Sequence, residues 1–262
     1  MSELQSYLSS VGRVTNLTDG TSAFGADAFP SLTEDAVHAA LQRAGESELT
    51  TEFNAFLLDL DGQPLTLVDT GCGAQFGAAG GNLAALLRGL QIAPSDIKRV
   101  IFTHLHGDHV GGAIEGETPV FDQAEVILSA QELAHWQGTD GSAATMLTAY
   151  KDKIRTVQDG EDIAPGLRAW ALPGHTPGHM GVRIGEDLVL LGDVLHAEAL
   201  QLPTPSVSIK FDVDPDLAAR TRTEALGQVC DQGLVFSGGH QVGQGKFARM
   251  QRVGDGFKKV AL

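Results

Sequence analysis

Residues 101–112 read Ile101-Phe102-Thr103-His104-Leu105-His106-Gly107-Asp108-His109-Val110-Gly111-Gly112. Three histidines and one aspartate fall within six positions, 104 to 109. Imidazole nitrogen and hard carboxylate oxygen at that density have few purely structural uses. The preceding Arg99-Val100-Ile101-Phe102 is β-branched and aromatic and reads as a buried strand. The cluster therefore sits where a strand breaks into a Gly-rich loop. Side chains on a strand alternate with period two, so His104 and His106 project to one side. Gly107 turns the chain, and Asp108 and His109 then address a neighbouring spot. This pattern predicts two adjacent metal positions.

Matching donors occur in three more places. Pro173-Gly174-His175-Thr176-Pro177-Gly178-His179 follows the apolar run Leu167–Leu172. Leu188-Val189-Leu190-Leu191-Gly192-Asp193 is a strand ending in an aspartate, and Leu234-Val235-Phe236-Ser237-Gly238-Gly239-His240 one ending in a histidine. Singly, each is a turn beside a strand. Together they deliver imidazoles and carboxylates to one place. Histidine and aspartate without cysteine suit a catalytic divalent site with open positions, zinc above all. Two such ions about 3.5–4 Å apart can share a bridging hydroxide and clamp an attacking and a leaving oxygen.

With these residues the chain resembles the metallo-β-lactamase-fold hydrolases. The resemblance implies an α/β fold, a four-layer αββα sandwich of two packed sheets with outer helices. It implies that His104, His106 and His175 hold one Zn2+, that Asp108, His109 and His240 hold a second, and that Asp193 bridges the two. Val68-Asp69-Thr70-Gly71 matches the segment that precedes the metal loop in this family, so Asp69 is expected to support a ligand from behind. His179 matches no ligand position and is read as a supporting residue.

A narrower likeness follows from Leu17-Thr18-Asp19-Gly20, from Phe76, from Ala130-Gln131-Glu132-Leu133-Ala134-His135-Trp136, and from Pro205-Ser206-Val207 with Asp212, Asp214 and Arg222. These look like the methyl parathion hydrolase branch, whose site is similar to that of the quorum-quenching lactonases. Phe76 and Trp136 fall where that branch lines its leaving-group pocket; the alternative is core packing. After Trp136 the chain departs from the branch, and any third pocket aromatic is missing or replaced by a residue such as Met146 or Leu147. Acyl-homoserine lactonases place a tyrosine three residues after the bridging aspartate, where this chain has His196. His196 is read as a hydrogen-bond or proton donor in the substrate pocket, or else as a buried structural histidine.

The resemblance implies a dinuclear zinc hydrolase that opens a lactone or related carboxylic ester through a metal-bridging hydroxide. Asp108 would orient the hydroxide and relay its proton, which makes Asp108 and His196 the candidate catalytic residues. An aryl phosphotriester hydrolase is the alternative reaction, and a non-catalytic metal-binding protein the alternative class. The net charge of −15 argues against nucleic acid and anionic membrane as partners. A small-molecule ester or lactone is the expected partner, with a homodimer also open. The two cysteines, Cys72 and Cys230, make no disulfide framework; Cys72 is expected to be a reduced core residue. Met1–Gly12 is polar and serine-rich, without the apolar core of an export signal, so a cytoplasmic location is expected.

The ligands spread from 104 to 240, so one domain over residues 1–262 is expected. Residues 21–51 are loosely patterned and are read as a lid, a dimer arm or surface packing. Strands are predicted near 13–17, 52–59, 65–69, 99–104, 125–129, 167–172, 180–184, 187–192 and 234–238. Asp61-Gly62 signals a hairpin, as does Gly254-Asp255-Gly256 between 247–253 and 257–260. Helices are predicted over 33–44, capped by Thr33 and stopped by Gly45; over 83–90, capped by Asn82; near 130–136 and 143–152; and from Pro215 to about Cys230.

Overall fold

Apolar residues alternate faces along Phe53-Asn54-Ala55-Phe56-Leu57-Leu58, and that alternation explains the layering of the molecule. The computed structural model describes residues 4–262, so residues 1–3 of the polar stretch 1–12 lie outside it. Chain order begins with β1 (Ser6–Ser9), β2 (Gly12–Phe24), helix α1 (Glu34–Ala44), β3 (Leu49–Leu60), β4 (Thr66–Val68), α2 (Leu83–Gly89) and β5 (Arg99–Ile101). A single turn α3 (Gly107–Val110), the ribbon β6 (Ile114–Glu115) and β7 (Thr118–Pro119), β8 (Glu125–Ser129), α4 (Ala130–Trp136), α5 (Ser142–Ala149) and β9 (Ile154–Val157) complete the first half. The second half runs β10 (Asp162–Ala164), β11 (Leu167–Ala171), β12 (Met180–Ile184), β13 (Leu188–Leu190), α6 (Glu198–Gln201), α7 (Pro215–Asp231), β14 (Val235–Ser237), β15 (Arg249–Val253) and β16 (Gly256–Val260).

Seven strands form one mixed sheet in the order β1-β2-β3-β4-β5-β8-β9, and five form the other, β10-β11-β12-β13-β14. Phe56, Leu58 and Leu60 of β3 pack with Val182, Ile184 and Leu190 of the second sheet to fill the space between sheets. Ala55 and Leu57, one residue out of phase, face the opposite way and join Leu87 of α2 and Met146 of α5. On the far side Val189 and Phe236 pack beneath Ala225, Leu226 and Val229 of α7. Helix, sheet, sheet, helix is the αββα order, and burial of about 25 cal/mol per Å2 of apolar surface drives it.

Helix ends follow their local signals, with one correction. Thr33 accepts a hydrogen bond from Ala36 N and Gly45 ends α1 at φ 76°, as the sequence predicts. Asp214 caps α7 by accepting from Leu217 N, ahead of Pro215 at its first position. Asn82 does not cap α2 with its side chain. Asp19 does so from β2: its Oδ1 accepts from Leu83 N at 2.7 Å and its Oδ2 from Cys72 N and Gly81 N. Asn82 instead donates to the Asp19 carbonyl. Strands β1, β9 and β10 carry too few apolar residues to announce themselves. Residues 21–51 hold the end of β2, a short turn, α1 and the start of β3, with Val37, Ala40 and Leu41 packed against Leu200, Val207 and Ile209.

The segment before β1 meets the loop between β14 and β15. Gln5 donates from Nε2 to the Gly243 carbonyl and accepts at Oε1 from the backbone N–H groups of Gly245 and Lys246. Among the described residues no helix is long and apolar enough to cross a membrane.

Candidate metal centre

Strands β4 and β5 run parallel, as do β13 and β14, so their C-terminal ends share an edge of the sandwich. At that edge each strand gives way to a donor: Asp69 after β4, His104 and His106 after β5, Asp193 after β13 and His240 after β14. His175 comes from the turn between β11 and β12, and Asp108 and His109 lie on α3. Close glycine packing lets these turns approach. A Cβ on Gly239 would lie 2.5 Å from Asp193 Oδ1, and one on Gly192, at φ 54°, 2.5 Å from His179 Nε2.

Two donor sets result. His104 Nε2 and His175 Nε2 each lie 3.0 Å from His106 Nδ1. Asp108, His109 and His240 form the second set. Asp193 stands between them, with Oδ2 3.3 Å from His175 Nε2, 3.7 Å from His104 Nε2 and 2.9 Å from His240 Nε2, and Oδ1 3.3 Å from His109 Nε2. Bonds of about 2.0–2.1 Å to a tetrahedral ion put neighbouring nitrogens roughly 3.3 Å apart, near these spacings.

An outer ring of acceptors sets the tautomers. His109 Nδ1 lies 2.9 Å from Asp69 Oδ2, and His175 Nδ1 2.9 Å from Asp212 Oδ1. Thr103 donates its hydroxyl to Asp69 Oδ2, so its oxygen accepts from His104 Nδ1 at 3.1 Å. His240 Nδ1 faces the Glu52 carbonyl at 3.0 Å and Thr51 Oγ1 at 2.9 Å. With a proton on each Nδ1, all four Nε2 lone pairs point inward, which is the arrangement a metal requires. Burial holds His104 and His106 below the ordinary imidazole range, and His175 down at about 3, so that set is neutral at pH 7. Around His109 and His240 burial also opposes charge, yet Asp193 and the other nearby carboxylates outweigh it and push both rings up. The second position therefore lies in a field that favours a cation. His109 Nε2 and Asp193 Oδ1 are buried with no hydrogen-bond partner, and a pair of divalent ions would satisfy both. The residues present fit a dinuclear centre.

Other predicted residues fall into place around it. Asp69, at φ 57°, holds His109 and also accepts from Thr103 N. His179 spends both nitrogens on the backbone, with Nδ1 against the Leu172 carbonyl and Nε2 accepting from Asp193 N. It supports the Asp193 turn and is no ligand. His196 places Nε2 3.2 Å from Asp193 Oδ2 and stacks on His240. Cys72 is free and buried, and burial together with Asp108 and Asp19 pushes its thiol far up, away from nucleophilic use.

A cavity of about 330 Å3 opens onto the donors, and His106, Asp108, Asp193, His196 and His240 form its floor. Its walls are Ser22, Phe24, Phe53, Phe76 and Phe211. Phe53 packs on Phe76 and Phe24 on Phe211, with ring centroids 5.4 and 6.1 Å apart. No lysine or arginine among the described residues lines it. Phe76 is thus a wall residue of this cavity. Trp136 is not. Its ring sits behind His106 and its Nε1 donates to Glu132 Oε1, because α4 turns the indole toward the core. Met146 and Leu147 also belong to the core and not to the cavity. Phe24, Phe53 and Phe211 escape a sequence reading, since nothing separates a cavity-facing phenylalanine from a core one. Asp212 and Arg222 stood in the sequence as branch markers without a role. The buried Arg222 donates from Nε to Val194 O and from Nη2 to Asp212 Oδ2, so it steadies the carboxylate behind His175.

Residues 54–229 match the Metallo-beta-lactamase superfamily, and the chain belongs to that family. The crystal structure of hydrolase AbOPH in the beta lactamase superfamily superposes with a TM-score of 0.91 at 25% identity, covering 100% of this chain and 98% of that one. AidC, a dizinc quorum-quenching lactonase bound to a homoserine product, gives 0.91 at 20% identity over 99% and 97%. An N-acyl homoserine lactonase of Bacillus thuringiensis is 23% identical over 177 residues, 63% of this chain and 64% of the relative's own length. The αββα architecture is that of the family.

Proposed function

We propose that this chain is a dinuclear zinc hydrolase that opens a lactone or related carboxylic ester. The single observation that carries this is the pairing of a two-position His/Asp centre with a cavity walled by four phenylalanines and lined, among the described residues, by no lysine or arginine. That wall suits a neutral, apolar substrate and offers nothing to a carboxylate or phosphate dianion. The product-bound dizinc lactonase of the same fold supports the reading.

His104, His106 and His175 would hold one ion, Asp108, His109 and His240 the other, and Asp193 both. Such ions lower the pKa of water toward neutrality and draw electron density from an ester carbonyl. The chain's own groups then position and protonate. Asp108, partly exposed at the cavity floor, accepts a proton from the attacking water. His196 Nδ1 is buried with no partner, and a buried orphan N–H is costlier than an orphan lone pair. The proton therefore rests on Nε2, which faces Asp193 at the cavity floor. From there the ring can donate a hydrogen bond to the leaving alkoxide, which takes up the proton that Asp108 accepted. The phenyl rings exclude bulk water and hold the apolar part of the substrate.

Aryl phosphotriester hydrolysis is the second reading, favoured by the room four phenyl rings give an aromatic leaving group. Screening the zinc-loaded protein against aliphatic lactones, aryl esters and an aryl phosphotriester separates the two. Lactone turnover is expected to lead. A preference for the phosphotriester would replace the first reading with the second, and two bound ions with no turnover would leave a metal-binding protein.

A further inference from the structure

Three of the ligand histidines hold their outer nitrogens against acceptors of their own in strands or loops: His109 on Asp69, His175 on Asp212 and His240 on Glu52 O. His104 leans on Thr103. His106 differs: its Nδ1 faces the cluster, and among the described residues its Nε2 has no hydrogen-bond partner. What orients it is packing, with the Trp136 ring edge-on at 5.5 Å.

Behind that contact lies a fully buried carboxylate, Glu132, in the first turn of α4. Its Oε1 accepts from Leu105 N at 2.9 Å and from Trp136 Nε1 at 2.6 Å. Its Oε2 accepts from Thr176 Oγ1 at 2.6 Å and Gly178 N at 3.1 Å. Leu105 lies between His104 and His106, and Thr176 follows His175. One oxygen thus holds the loop carrying two ligands, the other the loop carrying the third. The packing leaves no slack, since a Cβ on Gly178 would stand 2.0 Å from Glu132 N. No hydrogen bond from Glu132 reaches Asp108, His109 or His240.

We infer that Glu132 is a positioning residue for the three-histidine metal position alone, clamping the His104–His106 loop to the His175 loop and fixing the indole that backs His106. This rests on the metal reading of the site and not on ester opening. All four partners are donors, so an amide at this place confronts two of them with an NH2 group whichever way it is turned. Glu132→Gln keeps the shape and breaks one half of the clamp.

The test is zinc affinity, read by titrating metal-free protein in competition with a chromophoric chelator. Crystals given substoichiometric zinc show by anomalous scattering which position fills. Glu132→Gln is expected to weaken one class of sites about 10–100-fold, the usual scale for losing an outer partner of a ligand. That class should map to His104, His106 and His175, while the other keeps its affinity. Thr176→Val should show the same selective loss to a smaller degree, and Thr176→Ser should restore it. If Glu132→Gln does not fold, the Thr176 pair decides. Equal weakening of both positions, loss at the Asp108 position only, or unchanged affinities would overturn the inference. A wild-type chain that takes up no zinc would remove the metal reading and this inference together. Two tightly bound ions without ester turnover would count against the proposed function alone.

Discussion

At Asp193 the whole site meets, since five imidazoles lie within 3.7 Å of its two oxygens. Asp193→Asn keeps the size and removes the charge that two ions would share. Turnover should fall by at least about 10²-fold with the fold retained, the scale for losing a preorganised electrostatic group. Circular dichroism and steady-state kinetics check it, and near wild-type rates would refute the shared role. His196→Ala poses a finer question. A hydrogen bond to the leaving oxygen matters most when the leaving group is a poor one, so kcat and kcat/KM for an aliphatic lactone should fall together by roughly 10²-fold. A nitrophenyl ester, whose leaving group needs no proton, should lose far less, with zinc content unchanged. Equal losses on both substrates would make His196 a structural residue. The donors themselves were legible in the sequence because each is a polar residue beside glycine at the end of an apolar run. Glu132, Asp212 and Arg222 were legible only as family markers. Their partners are backbone groups and loops distant in sequence, and no spacing rule connects them.

Among the elements, the turns carry more of the site than the strands do. Gly192 and Gly62 both take the left-handed backbone, at φ 54° and 69°. Alanine at either position bears the same conformational cost, roughly 1–2 kcal/mol. At Gly62 a Cβ meets nothing within 4 Å, whereas at Gly192 it strikes His179 Nε2 and Thr103. Gly192→Ala should therefore lower Tm well beyond Gly62→Ala and also weaken zinc binding, since His179 and the Asp193 amide move apart. Matching Tm losses would mean that the His179 contact is slack. Long amphipathic or capped elements, such as α1 and α7, were readable from periodicity and caps. The short edge strands β1, β9 and β10 were not, because pairing with neighbours and not their own composition makes them strands. Trp136 shows the same boundary. Its helix was predicted correctly, but the face the indole takes depends on Glu132, which lies on the same helix and turns the ring inward.

For the molecule as a whole, the ions would join what the sheets divide. His104, His106, Asp108 and His109 belong to the first sheet's edge, and His175, Asp193 and His240 to the second's. A ligand that binds only the folded form adds RT ln(1 + [L]/Kd), about 4 kcal/mol at a thousandfold excess over Kd. Chelation should thus lower Tm by roughly 10 °C, using about 2–4 °C per kcal/mol for a large domain, and zinc should restore it. An unmoved Tm would mean that the sheets dock without help from the centre.

The clasp between Gln5 and the 243–246 loop bears on how the molecule is made. That loop lies just after His240, and its backbone is held by Gln5, immediately before the first strand, and by Glu52, whose Oε1 accepts from Gly243 N. During synthesis these bonds of Gln5 must wait until residues 238 to 241 positions further along have been made. The loop after His240 then closes on a segment made long before it.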